Sequence, residues 1–396
     1  MSLLDQALHG ALARRDRNHT RRHLTAVSRQ GLLSERRGRA LIDVSSNDTL
    51  GLSDHPLLCQ RAAQWAETYG TGARASRLVT GTLDLHLQLE DTIAAFKQSE
   101  AALLFATGWQ ANASILPALC ALSKQETGHP ARVFMDKLNH ASLHQGCLSA
   151  GIRQIRFRHN DLAHLEEQLN RHNDKEGLAF IITESVFSMD GDRADLAGLR
   201  QLADRFNAFL YVDEAHATGV FGSHGQGLST GLADITLSTA SKALGGMGAF
   251  VTGSRALCDY LLNHASGFIY STALPPAVLG ALDAALEVVP TLDDARTSLL
   301  NKAEQFRTIM QKAGWCTGAS STHIVPLLVG ESHDALALAQ ILEDEGFLAM
   351  AIRPPTVPPH TARLRLSFDT RLTDDVLDRL TVLLTRHVPK TRPACP

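Results

Sequence analysis

The sequence lacks the features that mark metal-binding, disulfide-rich and membrane-spanning proteins. Its six cysteines lie tens of residues apart, form no C-x-x-C pair and have no histidine clustered near them at zinc spacing. This distribution argues against both a metal site and a disulfide framework. The two longest uncharged stretches, 101–123 and 260–282, contain Gln, Asn, His and Pro, which are costly in lipid. We therefore expect no transmembrane helix.

The chain also lacks a strong charge of either sign. Its formal net charge is −3, although nine arginines between Arg14 and Arg39 face only Asp16 and Glu35 in that window. Near-neutrality argues against a dedicated nucleic-acid binder and favours a small anionic ligand. The first residues hold no basic stretch followed by an apolar core, so no secretory signal is expected and the cytoplasm is the predicted compartment.

The composition that is present is that of a folded globular protein, with 44% hydrophobic and 20% charged residues. From about 101 to 251, short apolar runs such as AALLF, ARVFM, LAFIIT and AFLYV alternate with amphipathic stretches. This alternation predicts an α/β fold, in which a mostly parallel sheet is covered on both faces. We expect an N-terminal segment (1–45), a large domain (46–285) and a smaller α+β C-terminal domain (286–396).

Two residues at predicted strand ends have complementary chemistry. Asp213 ends the run FLYVD, and Lys242 follows a short strand within STASKALGG. A lysine amine can form a Schiff base with the aldehyde of pyridoxal phosphate (PLP), whose ring nitrogen then needs an acid partner. Taken singly, Asp213 is equally consistent with a turn cap, and Lys242 with an exposed lysine beside a turn. The pair together favours a PLP site.

Weaker indications lie at the neighbouring strand ends. Gly108 and Trp109 begin a predicted helix after AALLF, and free N–H groups at a helix start can bind phosphate. His140 follows the next strand, where it could stack on a planar ring or simply cap a helix. Ser188 lies in a turn after a further strand. None of these residues is specific by itself.

Taken together, these segments resemble the α-oxoamine synthases, a family of fold-type I enzymes that depend on PLP. The resemblance covers nearly the whole chain and runs through SSNDTLGL, GTGARASRLVTGT, LNHASLHQG, ESVFSMDGD, VDEAHATGVFG, STASKALGG, IYSTALPP and AIRPPTVPPHTARLRLSF. Thr49 and Trp109 depart from the residues that many members carry at those positions. Neither departure touches Lys242 or Asp213.

The resemblance implies a role for each matching residue. Lys242 would be the Schiff-base lysine, Asp213 the partner of the pyridine nitrogen, His140 the stacking residue and His216 the hydrogen-bond partner of the ring hydroxyl oxygen. The remaining cofactor contacts would come from Gly108, Trp109, Ser188 and Thr239 of one subunit and from Ser271 and Thr272 across the interface of a homodimer.

The resemblance also implies the substrates. Asn47 and Arg365 would hold the amino-acid carboxylate, and Arg21 and Thr356 would contact the acyl group. The segment R-P-P-T-V-P points to L-alanine and a pimeloyl thioester, carried on coenzyme A or on a carrier protein. Three alternatives stay open: a sister synthase of the glycine C-acetyltransferase or 5-aminolevulinate synthase type, an aminotransferase, and a nucleotide-binding protein without enzymatic activity. The last is disfavoured because no G-x-G-x-x-G turn follows the first strand.

Overall fold

The computed structural model describes residues 2–389 and 395. The strands, in chain order, are β1 (Ser28–Gln30), β2 (Leu33–Arg36), β3 (Arg39–Asp43), β4 (Ala101–Phe105), β5 (Arg132–Asp136), β6 (Ile155–Phe157), β7 (Ala179–Glu184), β8 (Ala208–Asp213), β9 (Ile235–Thr239), β10 (Ala249–Gly253), β11 (Ile324–Gly330), β12 (Phe347–Leu348), β13 (Met350–Ile352) and β14 (Ala362–Ser367). The helices are α1 (Leu3–Arg17), α2 (Pro56–Tyr69), α3 (Asp84–Phe96), α4 (Gly108–Thr127), α5 (Ala141–Ser149), α6 (Leu162–Arg171), α7 (Leu196–Arg205), α8 (Arg255–His264), α9 (Ser266–Ile269), α10 (Pro276–Val288), α11 (Asp293–Ala313), α12 (Ser332–Asp344) and α13 (Asp374–Arg386).

These elements form two compact units. The large unit comprises residues 50–188 and 193–296, and the small unit comprises 1–49, 189–192 and 297–396. The small unit thus joins the N-terminal residues to the C-terminal quarter of the chain. The domain limits expected from the sequence, 1–45, 46–285 and 286–396, stay a prediction.

The large unit is built on a seven-stranded sheet of order β4-β10-β9-β8-β7-β5-β6. Only β10 runs antiparallel to its neighbours β4 and β9; the other strand pairs are parallel. Successive strand residues point to opposite faces. In β8, for example, Tyr211 packs in one core cluster while Leu210 and Val212 pack in the other. Both faces are therefore buried, which confirms the predicted α/β fold.

The small unit holds two further sheets, and its α+β character agrees with the sequence expectation. One is an antiparallel sheet of order β11-β14-β13, and the other has the order β1-β2-β3-β12. All six residues of β14 are buried, including Arg363 and Arg365. The apolar run GFLAMAI (346–352) contains two short strands, β12 and β13, which belong to different sheets.

One expectation about the cysteines is wrong. A disulfide joins Cys316 to Cys395, 79 residues apart in the sequence. Neither residue belongs to a recognisable cysteine motif, so the spacing carried no indication of this pair. Cys59, Cys120, Cys147 and Cys258 are free thiols. Across the described part of the chain, no helix has the length and apolar character needed to cross a membrane.

Candidate active site

The candidate site lies in the large unit, at the edge of the sheet where the parallel strands end. Glu184 is the last residue of β7, Asp213 of β8 and Thr239 of β9, and the register places Glu184 directly beside Asp213. Carboxyl ends of parallel strands share one edge, where ligands bind in open α/β sheets. Lys242 is half-buried in the turn that follows β9. His216, 7% exposed, lies in the turn after β8, and Ser188 in the loop after β7.

Asp213 is fixed by hydrogen bonds to both carboxylate oxygens. The Asn112 side-chain amide donates to Oδ2 over 2.9 Å, and the backbone N–H of Ala215 donates to Oδ1 over 2.9 Å. Asn112 is itself oriented by Tyr211, whose hydroxyl donates to Asn112 Oδ1 over 2.6 Å. The hydrogen bond from Ala215 is the turn cap that the sequence analysis gave as one interpretation of Asp213. The bond from Asn112 is an addition that holds the buried carboxylate in one orientation.

His140 precedes α5 and is tied to the same network. Its Nδ1 accepts from the backbone N–H of Ser142 and lies 2.7 Å from Ser142 Oγ, which in turn accepts from Asn112. Desolvation lowers the pKa of His140, the charge of Asp213 opposes that shift, and the charge of Lys242 adds to it. The imidazole is therefore neutral at pH 7. Asp213 and Lys242 both act on His140 electrostatically, which places these three predicted residues in one neighbourhood.

The first turn of α4 connects most of the remaining predicted cofactor residues. The helix begins at Gly108, as predicted, and the Thr107 side chain accepts from the backbone N–H of Gln110. The Trp109 and His140 rings lie edge to face, 5.9 Å apart. The Gln110 side-chain amide donates to Ser271 Oγ over 2.6 Å. The first N–H groups of this helix have no intrahelical partner, and such groups favour an anion such as phosphate.

Several features of this edge of the sheet fit PLP. A Cβ at Gly108 would lie only 2.7 Å from Thr239 Cγ2, so this contact requires glycine. Thr239 is 6% exposed, and its Oγ1 is buried without a hydrogen-bond partner. An unpartnered buried hydroxyl is costly unless a ligand completes it. Together with a half-buried lysine and a fixed carboxylate, these features fit PLP.

Glu184 and Asn112 are two residues of this site that the sequence analysis missed. Glu184 is 4% exposed, and burial, reinforced by the charge of Asp213, raises its pKa well above the ordinary value. Burial therefore favours the neutral form of this carboxyl group. The only available indication was the position of Glu184 at the end of an apolar run. For Asn112 even that indication was absent, since it lies inside a helix.

The residues assigned to the substrates belong to the small unit. Arg365 is 5% exposed, and its Nη2 donates to Asn47 Oδ1 over 3.1 Å. Burial lowers the pKa of Arg365 to about 10, so the guanidinium still carries its charge at pH 7. The structure thus brings Asn47 and Arg365 together as the family resemblance implies.

Arg21 and Thr356 are not paired with each other. Arg21 Nη1 forms an exposed ion pair with Asp16 over 2.7 Å, whereas Arg22 Nη2 donates to Thr356 Oγ1 over 2.9 Å. The guanidinium of Arg353 donates to the backbone carbonyl of His19. The arginine-rich segment is therefore joined to the R-P-P-T-V-P segment, through Arg22 rather than Arg21.

The chain matches known proteins over nearly its whole length. The family model for class I and II aminotransferases matches residues 39–383. The 8-amino-7-oxononanoate synthase of Gluconacetobacter diazotrophicus is 56% identical over 96% of each chain. The chain belongs to the class I and II aminotransferase family, among the 8-amino-7-oxononanoate synthases. The synthase of Geobacter sulfurreducens is 43% identical over 91% of this chain and 92% of its own.

Solved structures of the family have the same fold. A serine palmitoyltransferase from S. paucimobilis with bound PLP is 25% identical, with a TM-score of 0.89 over 98% of each chain. The 8-amino-7-oxononanoate synthase of Francisella tularensis is 27% identical, with a TM-score of 0.75 over 88% of this chain and 98% of its own. The resemblance to the α-oxoamine synthases and the fold-type I expectation are therefore confirmed.

Proposed function

We propose that this chain is a PLP-dependent acyltransferase that joins L-alanine to a pimeloyl thioester in biotin synthesis, with release of carbon dioxide and the thiol. The observation that carries this proposal is the extent of the match to 8-amino-7-oxononanoate synthases. The match includes the candidate cofactor residues of the large unit and the arginines of the small unit. The alternative of a nucleotide-binding protein is excluded, because the chain belongs to an enzyme family.

The residues of the large unit would hold the cofactor and move a proton. When bound, PLP supplies an electron sink that stabilises negative charge at the α-carbon of the amino acid. Lys242 would hold PLP covalently and, once displaced by alanine, would remove the α-proton. Asp213, fixed by Asn112 and Ala215, would keep a proton on the pyridine nitrogen. His140 would stack on the ring, and His216 would donate to its hydroxyl oxygen.

Four further residues would complete the cofactor contacts. Gly108, Trp109, Ser188 and Thr239 would supply them from one subunit, with the unpartnered Thr239 hydroxyl as the clearest donor. In the small unit, Arg365 would bind the alanine carboxylate with Asn47, because a guanidinium presents two parallel charged donors to a carboxylate.

The function is tested by a substrate matrix. The purified, PLP-loaded protein is incubated with L-alanine, glycine or L-serine, each combined with pimeloyl, acetyl, succinyl or palmitoyl coenzyme A, and release of thiol is followed. We expect the highest kcat/KM for alanine with pimeloyl-coenzyme A. Higher values for glycine with a short acyl group, or for serine with palmitoyl, would move the chain to a sister activity. A pimeloyl carrier protein tested alongside identifies the preferred carrier.

A second prediction distinguishes the effects of Arg21 and Arg22 on the KM values of the two substrates. If Arg21 contacts the acyl substrate, Arg21→Ala raises the KM for the pimeloyl thioester about 10- to 100-fold and leaves the KM for alanine nearly unchanged. The reason is that a charged hydrogen bond contributes about 1.5–3 kcal/mol. Arg22→Ala, which removes the bond to Thr356, is the matched control. Equal effects of Arg21→Ala on both substrates would contradict the role, as would a larger acyl effect in Arg22→Ala.

We also propose that the active form is a homodimer with shared sites. Ser271 is half-buried, while Thr272 is exposed and forms an isolated bridge with Ser76. Val79, three residues after Ser76, and Tyr270, next to Ser271, are 73% and 83% exposed. An exposed apolar patch at this bridge would favour an interaction surface. In such a dimer, Thr272 would reach the phosphate bound by the neighbouring subunit, together with Ser271.

Mixing two inactive variants tests the shared site. One variant is Lys242→Ala, and the other carries Ser271→Ala with Thr272→Ala. After subunit exchange we expect about a quarter of the wild-type turnover, because half of the dimers are hybrids and each hybrid has one intact site. Exchange is verified by mass spectrometry of differently tagged subunits. Proven exchange without recovered turnover would contradict the shared site, and so would an active monomer in sedimentation.

A further inference from the structure

The large unit contains a pocket at the edge of the sheet opposite the candidate active site. Its volume is about 660 Å³, within the range of small-molecule sites. It is lined by residues near the amino ends of the parallel strands, including Phe180 of β7, Phe209 of β8 and Ile235 of β9, and by Thr252 and Gly253 at the end of antiparallel β10. The cofactor residues follow the carboxyl ends of the same strands. The pocket is therefore a separate site.

The walls of this pocket are mainly apolar. Phe180 and Phe209 stack with ring centroids 5.5 Å apart, although Phe209 remains 41% exposed. Leu119 of α4 and the helix α8 residues Leu257 and Tyr260 complete the apolar lining. Such walls favour a ligand with an apolar body, since burying apolar surface contributes most of the binding free energy.

Two threonine hydroxyls in the lining have no hydrogen-bond partner. Thr252 is 1% exposed, and its Oγ1 is buried without a partner; the same holds for Oγ1 of the half-buried Thr230. Leaving a buried hydroxyl unpaired is unfavourable, and most such groups in folded proteins are satisfied. Both threonines line the pocket, where a polar atom of a bound ligand would supply the missing partner. The pocket therefore favours a ligand with one or two hydrogen-bonding groups.

The charged groups around the pocket are already paired. Lys97 Nζ donates to Glu214 Oε2 over 2.6 Å and to Thr218 Oγ1 over 3.2 Å. Asp234 accepts from Arg200 over 2.8 Å, and Glu100 accepts from the backbone N–H of Arg255 over 3.0 Å. Lys97 is the only cation among the described residues that line the pocket, and it is paired with Glu214, so a carboxylate or phosphate would gain no free cation there. The carboxylates of Asp234 and Glu100 would repel such an anion. A ligand without net charge fits best.

We propose that this pocket binds a neutral, mainly apolar small molecule carrying one or two hydrogen-bonding groups, at a site distinct from the cofactor site. The proposal does not depend on the proposed substrates. The probe for its test is N-phenyl-1-naphthylamine, which is neutral, has two apolar ring systems and carries one N–H group. Its sulfonated relative, 8-anilino-1-naphthalenesulfonate, has nearly the same shape and a negative charge.

Calorimetric titration of the PLP-loaded protein measures both probes. We expect one neutral probe bound per chain, at least about tenfold more tightly than the sulfonate, because the anion would lose water without gaining a cation. Absence of saturable binding by the neutral probe up to its solubility limit would overturn the proposal. Equal or tighter binding of the sulfonate would overturn it as well.

Variants locate the binding site. Ala256→Trp places a large side chain at an exposed lining position of α8 and should weaken the neutral probe at least about tenfold. Ala197→Trp is the matched control, since Ala197 is exposed at the same second position of α7, outside the pocket. Thr252→Val keeps the β-branched shape but removes the hydroxyl, and should weaken binding about 2- to 10-fold. All three variants should keep wild-type turnover, which shows that they fold.

Unchanged probe affinity in Ala256→Trp, or an equal loss of affinity in Ala197→Trp, would overturn the assignment of the site. So would a probe affinity that falls as the protein self-associates at higher protein concentration. The last result would identify the pocket as a contact between copies of the chain. A raised KM for alanine or acyl thioester in the presence of the probe would place it in the active site instead.

Discussion

Lys242→Ala should abolish turnover while leaving the fold intact. The side chain is half-buried in a turn after β9, where its loss removes both the covalent anchor for PLP and the group that we propose moves the α-proton. A positioned proton-transfer group alone commonly contributes about 100- to 10,000-fold. We therefore expect at least about a thousandfold loss in kcat, measured as thiol release with alanine and pimeloyl-coenzyme A. The visible absorbance band of the covalently bound cofactor should disappear as well.

Lys124→Ala is the matched control, because Lys124 is an exposed lysine in the last turn of α4, at the opposite end of that helix from Gly108 and Trp109. This control should keep wild-type turnover and the wild-type spectrum. An unchanged circular dichroism spectrum shows that Lys242→Ala is folded. Turnover in Lys242→Ala above about a thousandth of the wild-type value would refute the assigned role.

Asp213→Asn should weaken cofactor binding and reduce turnover together. A neutral amide cannot stabilise a protonated pyridine nitrogen, so the ring loses much of its capacity to accept electrons. Hydrogen bonds to a charged group are among the stronger ones, at about 1.5–3 kcal/mol. We expect the Kd for PLP to rise about 10- to 100-fold and kcat to fall by at least as much. Equilibrium dialysis gives the first quantity and steady-state kinetics the second.

Two further variants show whether this loss is specific. Asn112→Ala removes the donor to Asp213 Oδ2 but keeps the carboxylate, so its effect on the Kd for PLP should be smaller than that of Asp213→Asn. Asp234→Asn alters a carboxylate at the opposite edge of the sheet, where it pairs with Arg200, and should leave the Kd unchanged. Normal cofactor affinity together with normal turnover in Asp213→Asn would exclude the pairing with the ring nitrogen.

The sequence predicted those parts of the fold and site that local patterns determine. The apolar runs predicted β4, β7 and β8 to within one residue, because strands buried on both faces leave a continuous apolar pattern. Asp213 and Lys242 stood out because each follows such a run.

The missed features depend on partners that are distant in the sequence. Asn112 meets Asp213 across 101 positions, and Cys316 meets Cys395 across 79. Neither pair leaves a periodic or local pattern. The choice between Arg21 and Arg22 for Thr356 was equally hidden, since adjacent arginines have the same chemistry and only the path of the backbone decides which one reaches it. The roles assigned to the individual site residues stay predictions until variants are measured.

Cofactor bound at the first turn of α4 would stabilise the folded large unit. Gly108, Trp109 and Gln110 each contact a different segment there, at Thr239, His140 and Ser271. A ligand that binds only when these segments are assembled stabilises the folded chain by mass action, by about 2.7 kcal/mol at a hundred times its Kd. The concentration of PLP in the cell would then determine how much of this chain survives proteolysis. The abundance of the enzyme would follow that of its cofactor without any dedicated regulator.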